Sequence, residues 1–369
     1  MNIKYIGSAL DYSGYGEANR NDIVSLNTTD IGITVSCPRY TLELADFGRA
    51  GEIVSSLINK PLDYQIVMLH TTPNVYPLYM EKDKYHIGRV FWETDKLPLE
   101  FGKNVELLDE IWTGSESNAQ AIRNAGVTKP IYIIPQAIDT ANVSVEPYKI
   151  DHTDTFKFYS MFEWTERKNP NVLLEAFWKE FQKGEKVSLT IKTYLDNFTP
   201  EKKREIDQLV KMSKKKCQLE TYPPVYMFRN LMDKHQIYRF HKTFDCFVSG
   251  HRGEGWGLPQ MEAMLMAKPI ISTGYGGIHE YLEDSINGFL LPYKMVKLDE
   301  NSRNKQWYTQ DQSWADVSVS DMRAKMRYAY ENRGIAKDIG LNAQKLIKEK
   351  FSYKTVGNLF KKRLESIQL

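Results

Sequence analysis

The residues best suited to chemistry lie in the stretch 245–277, which reads DCFVSGHRGEGWGLPQMEAMLMAKPIISTGYGG. The pattern predicts a strand, a glycine loop, a helix and a second strand. Pro259 suits the first turn of that helix, where its missing N–H costs nothing. Glycines let the loop turn tightly and approach a ligand closely. The free N–H groups and the dipole at the start of the helix then favour an anion such as a phosphate.

Two carboxylates accompany this loop. Glu254 lies in the loop itself, and Glu262 lies one turn into the predicted helix. Acidic side chains accept hydrogen bonds from hydroxyl groups, so this pair is suited to binding a sugar. The alternative is an ordinary strand-to-helix turn whose glutamate is stabilised by the helix dipole.

Two basic residues stand before another predicted helix. In FEWTERKNPNVLLEAFW, Asn169 is the expected N-cap and Pro170 the first helical residue. Arg167 and Lys168 directly precede them. Positive charges there oppose the helix dipole by a few tenths to ~1 kcal/mol each. They therefore indicate an anionic ligand, with a solvated loop as the alternative.

The N-terminal half offers weaker candidates. Gly14, Tyr15 and Gly16 follow the first predicted strand in DYSGYGEA and open a helix. His70 ends the run MLHTTP, and Glu93 ends the run in FWETDKLP. Residues at strand ends of parallel sheets face ligands. Each of these positions is weighed against a structural role without a ligand.

Strands alternate with helices along the chain, which predicts two α/β halves with parallel sheets. The stretch 139–155 loses periodicity and is interpreted as a linker. We expect a cleft between the two halves to hold the site. The predicted strands are 3–6, 64–70, 88–93, 111–114, 131–135, 156–161, 187–194, 244–249 and 269–273. Helices are predicted to begin near 17, at a capping box over 117–120, and near 170, 259 and 318.

Composition narrows the class of protein. The chain has 369 residues, of which 42% are hydrophobic, so it can bury a sizeable core. Its 49 Lys+Arg against 47 Asp+Glu leave a net charge of +2, which does not suggest dedicated duplex binding. Three widely spaced cysteines argue against a disulfide framework. With no signal peptide or membrane-length apolar run, we expect a cytoplasmic protein; peripheral membrane attachment stays open.

The string HRGEGWGLPQMEAMLMAKPII resembles the signature of glycosyltransferase family 4, the retaining enzymes with the GT-B fold. This resemblance implies two Rossmann-like domains facing across a cleft. It implies an acceptor-side domain over 1–150, a nucleotide-sugar domain over 151–345, and a C-terminal helix over 346–369 that returns to the first domain. No cofactor is implied, because the donor is itself a substrate.

The resemblance also assigns roles to residues. Glu254 matches the family glutamate at the donor sugar, and Glu262 matches the one that binds ribose. Lys168 matches the lysine that holds the donor diphosphate, and Arg167 substitutes for an arginine that the preceding strand lacks. Further donor contacts are implied for Gly255, Trp256, Gly257 and Leu258, for the loop with Gly14 and Gly16, and for 275–277, which would close over the nucleotide. Tyr15, His70 and Glu93 are acceptor or cleft candidates.

The implied activity is transfer of a hexosyl or pentosyl group from a nucleotide-diphosphate sugar to an acceptor hydroxyl, with retention and without a metal. The chain has no Asp-x-Asp, which fits that expectation. Alternatives are a nucleotide-sugar epimerase of the same fold and a non-catalytic nucleotide-sugar-binding scaffold. The donor base, the sugar, the oligomeric state and the acceptor stay open, the last among glycan, lipid, protein and modified nucleic acid.

Overall fold

The computed structural model describes residues 1–38, 47–141, 143–150, 154–299 and 307–369. These residues form two compact units, one of Met1–Asn142 with Ile347–Leu369 and one of Val143–Leu346. Part of the predicted linker, 142 and 151–153, lies outside the described residues, and its remainder contains no helix or extended strand. In the described ranges, no helix is both long and apolar enough to cross a bilayer.

The first unit contains a six-stranded parallel sheet in the order β2-β1-β3-β4-β5-β6. Its strands are strongly apolar, as expected when helices cover both faces of a parallel sheet. Its elements are β1 (Asn2–Ile6), α1 (Gly14–Asn27), β2 (Gly32–Ser36), α2 (Gly48–Leu57), β3 (Ile66–Leu69), β4 (Tyr85–Arg89), α3 (Leu99–Val105), β5 (Glu110–Thr113), α4 (Glu116–Asn124) and β6 (Ile131–Ile133).

The second unit contains another six-stranded parallel sheet, in the order β12-β11-β10-β7-β8-β9. An antiparallel hairpin, β13 with β14, follows it. Its elements are β7 (Phe156–Glu163), α5 (Pro170–Glu180), β8 (Val187–Tyr194), α6 (Pro200–Cys217), β9 (Val225–Phe228), α7 (Lys234–Thr243), β10 (Cys246–Ser249), α8 (Leu258–Leu265), β11 (Ile270–Thr273), β12 (Phe289–Leu291), β13 (Tyr293–Lys297), β14 (Ser313–Val317) and α9 (Val319–Glu331).

Two helices end the chain. α10 (Arg333–Lys350) begins in the second unit and ends in the first, and α11 (Tyr353–Glu365) packs against α1 in the first unit. The Tyr353 hydroxyl donates to Asn21 Oδ1 at 2.9 Å, and the Phe360 ring stacks on Trp112 with centroids 5.5 Å apart. The core of the first unit therefore includes side chains from the end of the chain.

The α/β prediction with two parallel sheets is confirmed, and several boundaries are corrected. α1 begins at Gly14, not near 17, because Ser13 caps it. The capping box over 117–120 is wrong, since Ser115 is the N-cap and accepts from the Asn118 amide. The strands β2, β9, β12, β13 and β14 were not predicted. β12 has only three residues, and β9 and β13 contain no fully buried residue.

Candidate functional site

In the second unit, the chain reverses its direction of strand addition between β7 and β10. From β7 the sheet grows through β8 to β9, and from β10 it grows the other way through β11 to β12. Ligands of open α/β sheets bind beyond the carboxyl ends of strands at such a switch point. The segment after β7 carries Arg167 and Lys168, and the segment after β10 carries Glu254. Topology therefore places three predicted site residues at the same edge.

The two basic residues lie in a short 3₁₀ turn, Glu166–Lys168, between β7 and α5. Asn169 joins this turn to α5 in a left-handed conformation with φ of 54°. Asn169 is the N-cap and Pro170 the first residue of α5, as predicted, but the Asn169 side chain makes no capping hydrogen bond. The left-handed residue turns the chain sharply and places the basic pair directly before the α5 N-terminus.

Glu254 is the centre of an ion cluster. Its Oε1 contacts Lys168 Nζ, and its Oε2 lies 3.4 Å from Arg167 Nη1. Burial alone would raise the pKa of Glu254, but the Lys168 and Arg167 cations outweigh it and lower the pKa to about 2. The carboxylate is therefore ionised at neutral pH. The Lys168 and Arg167 side chains are 14% and 17% exposed, so the cations reach solvent while the carboxylate is buried.

The glycine loop is shaped by one left-handed residue and one tyrosine. Gly257 has φ of +90° and stands immediately before Leu258, the first residue of α8. The Tyr281 hydroxyl lies 2.8 Å from the Trp256 carbonyl oxygen and 2.9 Å from that of Gly257. With those carbonyls turned toward Tyr281, the loop enters α8 in a fixed direction. An α-helix leaves its first four amides without intrahelical acceptors, so this end of α8 presents donors.

A second loop packs directly on Glu254. The Gly277 amide donates to the Glu254 carbonyl oxygen at 3.0 Å. Gly276 has φ of +94°, and a Cβ atom on it would lie 2.3 Å from the same oxygen. Glycine is required here by both conformation and space. The sequence-predicted segment 275–277 is thus a support for the loop that carries Glu254.

Glu262 lies on α8 and is held by other partners. Its Oε1 contacts Lys234 Nζ, and its Oε2 lies 3.2 Å from His241 Nε2. Both partners come from α7, whose start is capped by Asp233. The two glutamates of the motif therefore have separate sets of partners, which is consistent with the two roles that the resemblance implies.

Arg252 connects the 3₁₀ turn of Arg167 and Lys168 to β14. Its guanidinium lies 2.7 Å from Glu166 Oε1 and 3.1 Å from Asp316 Oδ1 of β14. Its amide donates to the Arg167 carbonyl oxygen at 2.7 Å, and Arg167 Nη1 donates to the Gly253 carbonyl oxygen at 2.7 Å. These bonds fix the position of Arg167 relative to the loop.

Sequence reasoning missed Lys234, His241, Arg252 and Lys192. Lys192 is buried on β8. Desolvation lowers the pKa of Lys192 to about 8, although the negative charge of Glu262 acts to raise it. The signal for Lys192 was available, because a lysine inside the apolar run VSLTIKTY needs a partner. Lys234 and His241 lie on another helix, and no local spacing links them to Glu262. Arg252 is only two positions from Glu254, but its partner Asp316 is 64 positions away, so its role was not visible in the sequence.

In the first unit, the predicted glycine loop makes contacts among its own residues. The Gly16 amide donates to Ser13 Oγ at 3.0 Å, and a Cβ atom on Gly16 would lie 2.3 Å from the Asp11 carbonyl oxygen. The role of Gly16 shown by the structure is therefore close packing at the start of α1. Gly14 is exposed, and the Tyr15 ring lies 5.9 Å from that of His70.

His70 belongs to a buried polar network. Its Nδ1 lies 3.1 Å from Asp22 Oδ2 and 2.6 Å from the Tyr5 hydroxyl, and Arg89 Nε lies 3.0 Å from the same Asp22 oxygen. Burial lowers the pKa of His70, so the ring is neutral at pH 7. Within the described residues, His70 Nε2 is buried and has no hydrogen-bond partner.

Glu93 is corrected in position. β4 ends at Arg89, so Glu93 lies beyond the strand in a segment of bends, where it is half-buried. The described ranges contain no group of three or more His, Cys, Asp or Glu side chains that could hold a metal ion.

Part of the second unit matches the sequence model of a known protein family. Residues 148–302 match the family model described as glycosyl transferases group 1. The trehalose synthase of Thermococcus litoralis is 26% identical over 129 residues, 34% of this chain and 25% of that protein. Human alpha-1,3/1,6-mannosyltransferase ALG2 is 28% identical over 180 residues, 46% of this chain and 42% of that protein. The chain thus matches a quarter to under half of the length of these relatives.

Solved structures match over the whole chain. Anabaena Alr3699/HepE, solved with UDP and glucose, has a TM-score of 0.71 at 13% identity, with 100% of both chains covered. Sucrose-phosphate synthase from Thermosynechococcus elongatus has a TM-score of 0.71 at 12% identity, covering 99% of this chain and 98% of that one. The chain therefore has the GT-B fold, and its segment 148–302 is similar to the glycosyl transferases of group 1.

Proposed function

We propose that this protein transfers a sugar from a nucleotide-diphosphate sugar to an acceptor hydroxyl. The observation that carries the proposal is the cluster of Arg167, Lys168 and Glu254 at the N-terminus of α8. Two cations, Lys168 and Arg167, flank one carboxylate in the loop before this helix. An anion binds favourably to such a cluster, and the helix N-terminus adds to the attraction.

The same groups would assist departure of the nucleoside diphosphate. Negative charge develops on the leaving phosphate as the glycosidic bond breaks, and donors already in place lower the barrier most. Lys168 and Arg167 are held in position by Glu254 and by the carbonyl oxygen of Gly253. Little reorganisation is then needed when the charge appears.

Glu254 acts as a hydrogen-bond acceptor for sugar hydroxyls. With a pKa of about 2, it carries no proton to give to a leaving group at neutral pH. Glu262 is proposed to accept hydrogen bonds from the ribose. These roles follow the resemblance, and the separate partners of the two carboxylates support them.

The proposed stereochemistry is retention without a metal ion. In this route the acceptor attacks on the face from which the leaving group departs, and the donor phosphate takes the acceptor proton. Gly255, Trp256, Gly257 and Leu258 are proposed donor contacts. Gly14, Gly16, Tyr15, His70 and Glu93 of the first unit are proposed to serve donor or acceptor recognition. HepE was solved with UDP and with UDP-glucose, which makes UDP-sugars the first donors to test.

The experiment is thermal stabilisation by UDP, GDP, ADP and their sugar conjugates in the presence of EDTA. We expect one nucleoside diphosphate to stabilise the wild type selectively, and Lys168→Ala and Glu262→Ala to lose the shift. Lys179→Ala is the matched control, because Lys179 forms an exposed pair with Glu175 at 2.6 Å in the same unit. Absence of any shift in the wild type would overturn the proposal.

Turnover then separates the alternatives. The donor that binds is incubated alone and with candidate acceptors, and the product anomer is read by NMR. Transfer with an unchanged anomeric configuration supports the proposal. Conversion of the donor without an acceptor would identify an epimerase, and an inverted product would overturn retention.

A further inference from the structure

Glu262 is the end of a chain of hydrogen bonds that begins inside the sheet. The Tyr159 hydroxyl lies 2.9 Å from His241 Nδ1, and His241 Nε2 lies 3.2 Å from Glu262 Oε2. Tyr159 is on β7, His241 on α7 and Glu262 on α8. Tyr159 and His241 are both 0% exposed. Three different elements thus join through one histidine ring.

The chemistry of the partners determines which ring nitrogen carries the proton. The Glu262 carboxylate can only accept a hydrogen bond, so His241 Nε2 must carry hydrogen. Burial lowers the pKa of His241, which leaves a neutral ring at pH 7 and hence a bare Nδ1. The Tyr159 hydroxyl then donates to Nδ1. Every hydrogen bond in this chain is oriented toward Glu262.

The ring has no freedom to change this arrangement. Tyr159 packs edge-on against His241 with centroids 5.5 Å apart, and Phe247 lies 6.1 Å from the same ring. Phe240 and Phe244 enclose Tyr159 on the other sides. A histidine held by aromatic rings and by a defined tautomer fixes the direction of its Nε2–H bond.

The other carboxylate oxygen faces outward. Glu262 Oε1 contacts Lys234 Nζ, and the Lys234 side chain is 27% exposed. One oxygen is therefore held from the buried side, and the other lies toward a residue that reaches solvent. A carboxylate held at both oxygens in this way keeps one orientation.

We infer that His241 is a positioning residue for Glu262, held in the required tautomer by Glu262 and Tyr159, and that it orients the carboxylate toward the two ribose hydroxyls of the donor nucleotide. The inference rests on the proposed function, because it takes the ribose as the ligand of Glu262. His241 itself contacts no substrate. It acts by keeping Glu262 in the rotamer that accepts hydrogen bonds from a vicinal diol.

The test compares binding of UDP with binding of 2′,3′-dideoxy-UDP by calorimetry. GDP and ADP with their dideoxy forms are run in parallel, and the base that binds the wild type most tightly is used. We expect the wild type to prefer the ribonucleotide by about tenfold or more, as for two hydrogen bonds to a charged group. Glu262→Ala should reduce that preference to within about twofold.

His241→Phe is the decisive variant. We expect it to lose the preference as Glu262→Ala does, while the dideoxy nucleotide binds as tightly as to the wild type. The double variant His241→Phe/Glu262→Ala should discriminate no less than Glu262→Ala alone, since both changes remove one effect. A purely structural role for His241 would weaken both nucleotides equally and would overturn the inference.

Two milder variants keep the test decisive if His241→Phe does not fold. His241→Gln retains an amide N–H that can donate to Glu262, so part of the preference should return. Tyr159→Phe removes only the donor to Nδ1 and should lower the preference by about threefold. Tyr85→Phe is the matched control, because the Tyr85 hydroxyl also donates to a buried carboxylate, Glu110 Oε2 at 3.0 Å, in the other unit.

The failures of the two proposals are distinguishable. If no nucleoside diphosphate binds the wild type, the proposed function is wrong and this inference is wrong with it. If the wild type discriminates, Glu262→Ala does not, and folded His241→Phe, His241→Gln and Tyr159→Phe all keep the wild-type preference, then the proposed function stands and the role of His241 is overturned.

Discussion

Each unit contains a buried carboxylate that is paired with a cation near the carboxyl ends of its strands. The two centres differ in how exposed the paired cations are. In the first unit, Arg89 and Asp22 are both 0% exposed, and Arg89 also donates to the Ile134 and Pro135 carbonyl oxygens. In the second unit, Glu254 is buried but Arg167 and Lys168 reach solvent. The Arg89–Asp22 pair is fully buried, whereas the cations paired with Glu254 are partly exposed.

This difference in exposure separates a structural ion pair from the cluster to which we assign binding in the proposed function. Burial alone would raise the pKa of Asp22, but Arg89 and the His70 hydrogen bond outweigh it and hold the pKa below its usual value. Cations likewise lower the pKa of Glu254, to about 2. Both carboxylates are therefore ionised, and the two centres differ in the exposure of their partner cations.

The largest expected effect is on stability in the first unit. Asp22→Asn removes the countercharge of a fully buried arginine, so we expect the free energy of unfolding to fall by about 3–5 kcal/mol. Chemical denaturation measures it. Asp30→Asn is the control: Asp30 forms an exposed pair with Lys361 at 2.7 Å, and its replacement should leave stability nearly unchanged. Equal effects of the two changes would refute the structural role of Asp22.

Lys168→Ala should instead have a large effect on turnover and a small effect on stability. It removes a donor aimed at the leaving phosphate, so we expect turnover to fall by about 10²–10³-fold. Stability should change far less than in Asp22→Asn, because Glu254 keeps Arg167 at 3.4 Å. Release of nucleoside diphosphate from the donor gives the rate, and Lys179→Ala is the control. A loss of stability as large as that of Asp22→Asn would erase the distinction between the two centres.

The third prediction concerns pH. The pKa of Glu254 is lowered from 4.5 to about 2 on folding, so its contribution to stability is present above pH 4.5 and is lost as pH falls toward 2. The difference in unfolding free energy between the wild type and Glu254→Gln should shrink by about 2 kcal/mol between pH 6 and pH 3. Glu175→Gln, on an exposed pair, is the control. A difference that stays constant over this range would contradict an ion-paired Glu254.

The smallest expected effect is at Tyr281. Tyr281→Phe removes the hydroxyl that lies against the Trp256 and Gly257 carbonyl oxygens, which should lower stability by about 1 kcal/mol and weaken nucleotide binding. Tyr148→Phe is the control, because the Tyr148 hydroxyl lies 3.5 Å from its acceptor and is exposed. If binding is unaffected while stability falls, the hydroxyl supports the loop without orienting it for a ligand.

The motif of the second unit was readable from the sequence because its parts are close along the chain. Glu254, Gly257 and Glu262 share one strand–loop–helix segment, and Lys168 stands before a helix where a cation is unfavourable. The Asp22–Arg89 pair spans 67 positions, so no local pattern links them. Arg89 in the apolar run HIGRVFW indicated that some partner existed, but only the pairing of β1, β3 and β4 identifies it. Asn169 shows a limit of local patterns. It occupies the predicted N-cap position, but the sequence did not indicate its left-handed backbone or its missing capping hydrogen bond.

The first unit is assembled from two distant pieces of chain. Its core contains Val356, Phe360 and Leu364 of α11 together with Trp112 and Ile23 from before residue 142. During synthesis, the N-terminal piece leaves the ribosome long before α11 exists, whereas the second unit is continuous and can complete its contacts first. The rings of Trp112 and Phe360 stack with centroids 5.5 Å apart, so this contact can form only after the second unit has been synthesised. The first unit can therefore complete its core only after the second unit has been synthesised.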